Sequence, residues 1–79
     1  KLHIEVAAES LSVRWLEEVD EVLSAHPGDS EVYLHLVLPN RERKTRRSRR
    51  YRVAGDSGVA EALRHRFPGV RAFWGKGVS

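Results

Sequence analysis

The segment Arg41–Val53 contains the residue types in this chain that could bind nucleic acid. It reads RERKTRRSRRYRV, and eight of its thirteen residues are Lys or Arg, against a single acid, Glu42. The other 66 residues contain 6 bases and 10 acids, so the net charge of +3 comes entirely from this segment. Guanidinium groups bind phosphates through paired hydrogen bonds and stack on bases, so a surface carrying several of them can hold single-stranded nucleic acid. The alternative is a solvated hairpin whose arginines pair with acids or protect an exposed strand edge.

The remaining polar residues form no recognisable catalytic or metal-binding pattern. The four histidines lie in separate predicted elements without HxH or HExxH spacing, and the chain contains no cysteine. No GxGxxG, P-loop or GxSxG motif occurs, and the acids at 17, 18, 20 and 21 are typical of a solvated helix face or a docking surface for a basic partner. We therefore expect no catalytic residue, no metal site and no cofactor, so that this chain is not itself an enzyme.

The length and composition predict one folded domain spanning residues 1–79. With 79 residues, 41% of them apolar and 32% charged, the chain can build a single modest core. No apolar run approaches the roughly 20 residues that span a bilayer, so we expect no membrane contact, and the lack of cysteine fits a cytoplasmic location. A first residue already inside a strand-like pattern suggests a piece of a longer protein. The tail 75–79 is expected to be flexible.

Hydrophobic periodicity predicts two helices and four strands. Apolar residues alternate at Leu2, Ile4 and Val6, which indicates a half-buried strand, whereas a stripe at helical spacing follows a serine cap at Ser10 or Ser12. The stripe consists of Trp15, Leu16, Val19, Val22 and Leu23. The later predicted elements are a strand at Glu31–Leu38, the basic return arm ending at Val53, a helix capped by Asp56 or Ser57 with Glu61 in its first turn, and a short strand at Val70–Trp74.

The order βαββαβ predicts an α+β, two-layer sandwich in which two helices cover one face of a four-stranded sheet. This is the ferredoxin-like, split βαβ arrangement. Right-handed crossovers would then place the first and third strands in the middle of the sheet and leave its other face open to solvent.

Strand alternation predicts which basic side chains reach this open face. Counted back from Val53, which we expect to face the helices with Tyr51, the outward positions include Arg50 and Arg52 near His3. Arg46 is expected on the same outward side. The candidate nucleic-acid-binding residues are Arg46, Arg47, Arg49, Arg50 and Arg52. The third strand lacks the glycines and most of the aromatic residues of the RNA-recognition signature, so we expect few stacking platforms on it.

Two short motifs give the chain a family resemblance. A helix ending in His26-Pro27-Gly28 leads into an alternating strand with Val32, Leu34 and Leu36, and the hairpin's return arm ends in Tyr51-Arg52-Val53 before the last helix. Across nearly the whole chain, this combination resembles the extreme C-terminal domain of the alpha subunit of bacterial DNA polymerase III, the replicative polymerase. The density of arginine at 46–50 departs from that pattern and leaves open whether the third strand reaches Arg46 or a long basic loop lies there.

The resemblance implies a role in DNA replication that involves no catalysis by this fragment. In that family the polymerase active site lies far upstream, an oligonucleotide-binding barrel precedes this domain, and the C-terminal portion attaches the tau subunit of the clamp loader in the cytoplasmic replisome. Docking of this kind needs an exposed anchor. The candidate partner-binding residues are Phe73, Trp74, Lys76 and Val78, although Trp74 could instead cap the core. The fragment is expected to be monomeric, and the alternative function is a stand-alone module that binds single-stranded nucleic acid.

Overall fold

The computed structural model describes residues 1–55 and 58–75, with Arg49 described by its backbone alone. The chain begins with a strand that is followed by one turn of 3-10 helix at Ala8–Ser10. The main elements are β1 Leu2–Ala7, α1 Val13–Ser24, β2 Pro27–Val37, β3 Arg43–Val53, α2 Val59–Arg66 and β4 Arg71–Trp74. The predicted caps Asp56 and Ser57 lie outside the described residues, and Gly58, with φ of 78°, occupies the N-cap position of α2.

The strands form one open, mixed sheet in the order β3-β2-β1-β4. β1 pairs in parallel with β2, while β4 and β3 pair antiparallel with β1 and β2 respectively. The mixed α+β class with two helices is therefore confirmed. The split βαβ arrangement with the first and third strands central is wrong, because β1 and β2 occupy the centre and β3 lies at an edge.

The direct pairing of β1 with β2 explains this topology. His3 lies beside Tyr33 in a continuous parallel register, so no gap remains between the two strands for β3 to enter. The tight turn after β2, in which Arg41 N–H donates to Leu38 O at 2.9 Å, sends β3 back along the outer edge of β2. β4 then pairs with the remaining free edge of β1. The right-handed crossover rule constrains the hand of a connection but not whether another strand lies between the two strands it joins, so the rule does not choose between the two topologies.

Both helices pack against the same face of the sheet. The alternating residues of β1 enter a core that also contains residues of β2, β3, β4 and both helices, and Trp15 of α1 meets Phe67, the C-cap residue of α2, at a ring-centroid distance of 5.7 Å. The buried core residues that the helices contribute are Val19, Val22, Leu23, Val59, Ala60 and Leu63. Leu16, predicted in the apolar stripe, lies at its margin and is largely exposed. In the part of the chain that the structure describes, the opposite face of the sheet carries no helix.

The start of α1 is fixed by a serine cap. Ser12 Oγ accepts a hydrogen bond from Trp15 N–H at 3.0 Å, which satisfies one of the amides left free in the first helical turn. Ser12→Ala should therefore lower the free energy of unfolding by about 1 kcal/mol. Urea unfolding of Ser12→Ala beside Ser10→Ala measures this, because Ser10 is exposed and does not cap the helix. Equal stability of the two variants would contradict the assignment of the cap.

β2 begins earlier than the alternation predicts, and Gly28 lies inside it. The sequence suggests that Gly28 serves a left-handed turn, but the glycine with positive φ among the described residues is Gly58. At Gly28 a Cβ would overlap the backbone of Ala54 and Val53 at the end of β3. Gly28 is therefore required for the close approach of two strands.

Candidate nucleic-acid interface

The face of the sheet opposite the helices collects aromatic and charged side chains from every strand. The strand registers place Phe73, His3, Tyr33 and Arg47 in one row across the sheet. A second row is shifted by two residues along each strand. The open face, as we use the term, consists of these two rows together with three residues on the same side of β2 and β3: Phe73, His3, Tyr33, Arg47, Arg71, Glu5, His35, Thr45, Glu31, Arg43 and Arg52.

Three of these side chains form a ring stack centred on His3. Its ring centroid lies 5.2 Å from that of Phe73 and 5.6 Å from that of Tyr33, with interplanar angles of 15° and 19°. These values describe offset-stacked rings, which attract one another beyond the area they bury. His3 is only 4% exposed, whereas Phe73 at one end of the stack is 38% exposed. The stack thus presents aromatic surface to solvent at its ends.

A cation lies close to each of the two outer rings of the stack. The ammonium of Lys1 is 5.4 Å from the Tyr33 centroid, and the guanidinium carbon of Arg71 is 5.6 Å from the Phe73 centroid. Both distances are within cation–π range, although such contacts contribute only about 0.5–1 kcal/mol at exposed sites. A ligand ring could therefore replace either cation at modest cost.

Two carboxylates hold arginines against the open face. Glu5, whose side chain is 14% exposed, reaches Arg43 at 3.3 Å and Arg71 at 3.6 Å, so it bridges residues from the two edge strands. Glu31 pairs with Arg47 at 3.2 Å and accepts a hydrogen bond from the Tyr33 hydroxyl at 3.4 Å. The three arginines are more than half exposed, and exposed pairs contribute little to stability. A phosphate can compete for them.

A buried hydrogen-bonded pair of histidines lies beneath these charges. His3 Nδ1 is 2.9 Å from His35 Nε2, and His35 Nδ1 is 2.9 Å from Thr45 Oγ1. Burial lowers the pKa of His3 below its ordinary 6.5, and the neighbouring His35, the N-terminal amine and Lys1 lower it further. Burial also lowers the pKa of His35, with Arg43 adding to the decrease and Glu5 opposing it. The pair is therefore held neutral at pH 7.

This pair makes stability depend on pH. A histidine whose folded-state pKa is depressed contributes its full stability above the unfolded pKa of 6.5, and that stability is lost as the pH falls below 6.5 towards the folded pKa. Within that pH window, each histidine should lower the free energy of unfolding by up to about 1.4 kcal/mol for every unit by which the pH falls. Urea unfolding between pH 8 and pH 5 measures the slope. His35→Gln should reduce the dependence of the free energy of unfolding on pH. His65→Gln, a change on the exposed side of α2, should leave this dependence as it is. Equal slopes in the two variants would contradict a role for the buried pair.

The sequence-predicted arginines are divided between the two faces. β3 reaches back to Arg43, so the alternative of a long basic loop at 46–50 is wrong. Arg47 and Arg52 lie on the open-face side, opposite Tyr33 and Glu31. Arg46 pairs with Leu34 on the helix-facing side, so its predicted place on the open face is wrong. Arg50 lies over the Tyr51 ring at 5.6 Å, and the side chain of Arg49 lies outside the described residues.

A register shift in β3 explains the wrong placement. Val32 pairs with Ser48, but the preceding residue Glu31 pairs with Arg52, so three additional residues of β3 interrupt the ladder. Because three is an odd number, counting alternate residues back from Val53 assigns the residues up to Ser48, including Arg46, to the wrong face of the sheet. Val53 is fully buried towards the helices and Tyr51 packs against the core, as the alternation predicts.

Phe73 and Trp74, the two predicted partner-binding residues that the structure describes, lie on opposite sides of β4 but line one groove. Phe73 pairs with His3 on the open face, whereas Trp74 pairs with Leu2, a core residue, and so lies on the helix-facing side. Trp74 is 39% exposed. It lines a groove of about 510 Å³ together with Phe73, with Ala60, Glu61 and Arg64 of α2, and with other residues. Lys76 and Val78 lie outside the described residues.

The aromatic stack is the feature that the sequence reasoning missed. Few stacking platforms were expected because the third strand carries few rings. The rings come instead from β1, β2 and β4, at positions 3, 33 and 73, and each occupies an outward position in its own strand. The available signal was that each of these strands carries a ring on its solvent side, and the strand pairing was needed to bring the rings together.

The chain matches no protein-family model, and no curated protein matches its sequence. Among the residues that the structure describes, no cluster of three or more His, Asp or Glu side chains is placed to hold a metal ion. No helix in the same part of the chain is long and apolar enough to cross a membrane. The functional proposal therefore rests on the open face and on the resemblance stated above.

Proposed function

We propose that this chain is a non-catalytic module from the C-terminal end of the alpha subunit of a bacterial replicative DNA polymerase, acting in the cytoplasm at the replication fork. In this proposal the open face contacts single-stranded DNA, and the end of β4 attaches the tau subunit of the clamp loader. The observation that carries the DNA contact is the stack of Phe73, His3 and Tyr33, flanked by arginines from both sheet edges.

The DNA contact uses ring faces and phosphates. A base can stack on Phe73 in place of the Arg71 guanidinium, and base–aromatic stacking contributes about 1–3 kcal/mol per base. The displaced Arg71, together with Arg43 and Arg47, can then pair with backbone phosphates in two-pronged hydrogen bonds that compete with the carboxylates of the face. Ring faces and phosphates carry little sequence information, so we infer binding to single strands irrespective of their sequence.

Attachment of tau is supported by the resemblance and by the position of Trp74. This ring is exposed at the end of β4, beside the groove along α2, and tryptophan is enriched among residues that dominate protein interfaces.

A reciprocal pair of variants tests both contacts. Phe73→Leu should weaken binding of a fluorescent oligodeoxythymidylate by about 5-fold to 100-fold, because one stacked base is lost. It should affect tau capture less, because leucine keeps an apolar side chain in the groove that Phe73 and Trp74 line. Trp74→Leu should do the reverse, which makes each variant the control for the other. Unchanged DNA affinity in Phe73→Leu would overturn the DNA contact. DNA binding without any tau capture would instead favour the stand-alone single-stranded nucleic-acid-binding module.

A further inference from the structure

β3 presents an unpaired strand edge. Within the described ranges 1–55 and 58–75 it pairs with β2 alone, and Arg43–Ser48 follow Val32–Val37 in an uninterrupted antiparallel register. In such a ladder every second residue points its N–H and C=O groups away from the paired strand, which leaves a template for a further strand. Arg43–Arg47 are exposed throughout. The other edge, β4, is only four residues long.

The two sides of this edge differ in how their cations are paired. On the open face, Arg43 and Arg47 are held by carboxylates of the neighbouring strands. On the helix-facing side, Lys44 and Arg46 pair in register with Leu36 and Leu34, and no ion pair involves either cation among residues 1–55 and 58–75. The edge therefore carries two uncompensated positive charges, spaced two residues apart on one side.

We propose that the outer edge of β3 binds an extended acidic segment of a partner protein by strand addition, with two acidic side chains spaced two residues apart beside Lys44 and Arg46. Side chains directly opposite each other on paired strands lie about 4.5–5.5 Å apart, close enough for opposite charges to attract. This contact lies on a different part of the molecule from the Phe73 stack and from Trp74.

The positive charges of Lys44 and Arg46 disfavour pairing of this edge with a basic strand. A second copy of β3 would place like charges opposite one another, which destabilises pairing. The register shift after Ser48 ends the regular template, so the added strand is limited to about six residues, or roughly 20 Å. The side chain between the two acids would lie next to Thr45 on the open-face side, where a β-branched residue fits.

The test uses a labelled peptide with the core Val-Glu-Val-Glu-Val and the whole 79-residue chain. A second peptide of the same composition is N-methylated at every internal backbone amide, so that it keeps its charges but cannot form the ladder with either edge. Arg46→Glu is compared with Arg14→Glu, because Arg14 on α1 is 88% exposed and undergoes the same change of charge. Amide hydrogen exchange over residues 43–48 reports on the backbone pairing.

We expect the unmodified peptide to bind and to slow exchange at alternate residues of β3. Arg46→Glu should weaken binding at least tenfold, Arg14→Glu less than twofold, and N-methylation should abolish it. Equal binding of the N-methylated peptide, or equal effects of the two charge reversals, would overturn strand addition. Failure of the peptide to bind while an oligonucleotide protects the same edge would also overturn it, without affecting the test of Phe73.

Discussion

Gly28→Ala is expected to destabilise the protein by about 3 kcal/mol, because the new Cβ overlaps the backbone at the end of β3. That backbone cannot easily move aside. Ala54 N–H donates to His26 O at 3.0 Å, and Val53 is fully buried in the core. Relief of the overlap therefore requires either loss of this hydrogen bond or displacement of a core residue.

Gly69→Ala is the matched control for this prediction. A Cβ at Gly69 meets no atom within 4 Å, and Gly69 does not have a positive φ. Urea unfolding of both variants should give a midpoint far lower for Gly28→Ala than for Gly69→Ala. Equal midpoints would show that β2 and β3 do not approach each other as described.

Glu5→Gln is expected to raise the affinity for single-stranded DNA about fivefold. Glu5 holds Arg43 and Arg71, so it occupies the place that a phosphate would take between the two edge strands. Removing its charge frees two guanidinium groups and removes a repulsion of about 1 kcal/mol between carboxylate and phosphate. The affinity of a labelled oligodeoxythymidylate measures the gain.

Glu17→Gln provides the control, because this acid lies on the exposed side of α1 and makes the same change in net charge. Its effect on affinity should be less than twofold. A gain of similar size in both variants would mean that only net charge matters. A loss of affinity in Glu5→Gln would mean that Glu5 positions the arginines and does not compete with the DNA.

The sequence was sufficient for the local structure and for the core. Hydrophobic periodicity predicts the two helices and the strands that carry the core, since each side chain's burial follows from its own position in a helix or strand. Ser12 as a cap and the burial of Val53 are correct for the same reason. These features depend on neighbours within a few residues.

The strand order and the site needed information that local patterns do not contain. Whether β2 or β3 lies next to β1 depends on competing long-range pairings, and both choices bury the same apolar residues. The interruption of the ladder between Ser48 and Arg52 moved Arg46 to the helix-facing side. The ring stack likewise depends on the register of three strands. The tau contact and the polymerase context remain predictions.

The salt dependence of binding to single-stranded DNA tests the central claim most directly. If Arg43, Arg47, Arg52 and Arg71 neutralise about four phosphates, a plot of log affinity against log salt should have a slope of roughly −2.8, or about a 50-fold loss between about 50 and 200 mM salt. Replacing Arg43 and Arg47 by glutamine should reduce the slope to about −1.4. Undetectable binding at about 50 mM salt, or the same slope in the double variant, would contradict the claim that the open face binds single-stranded DNA.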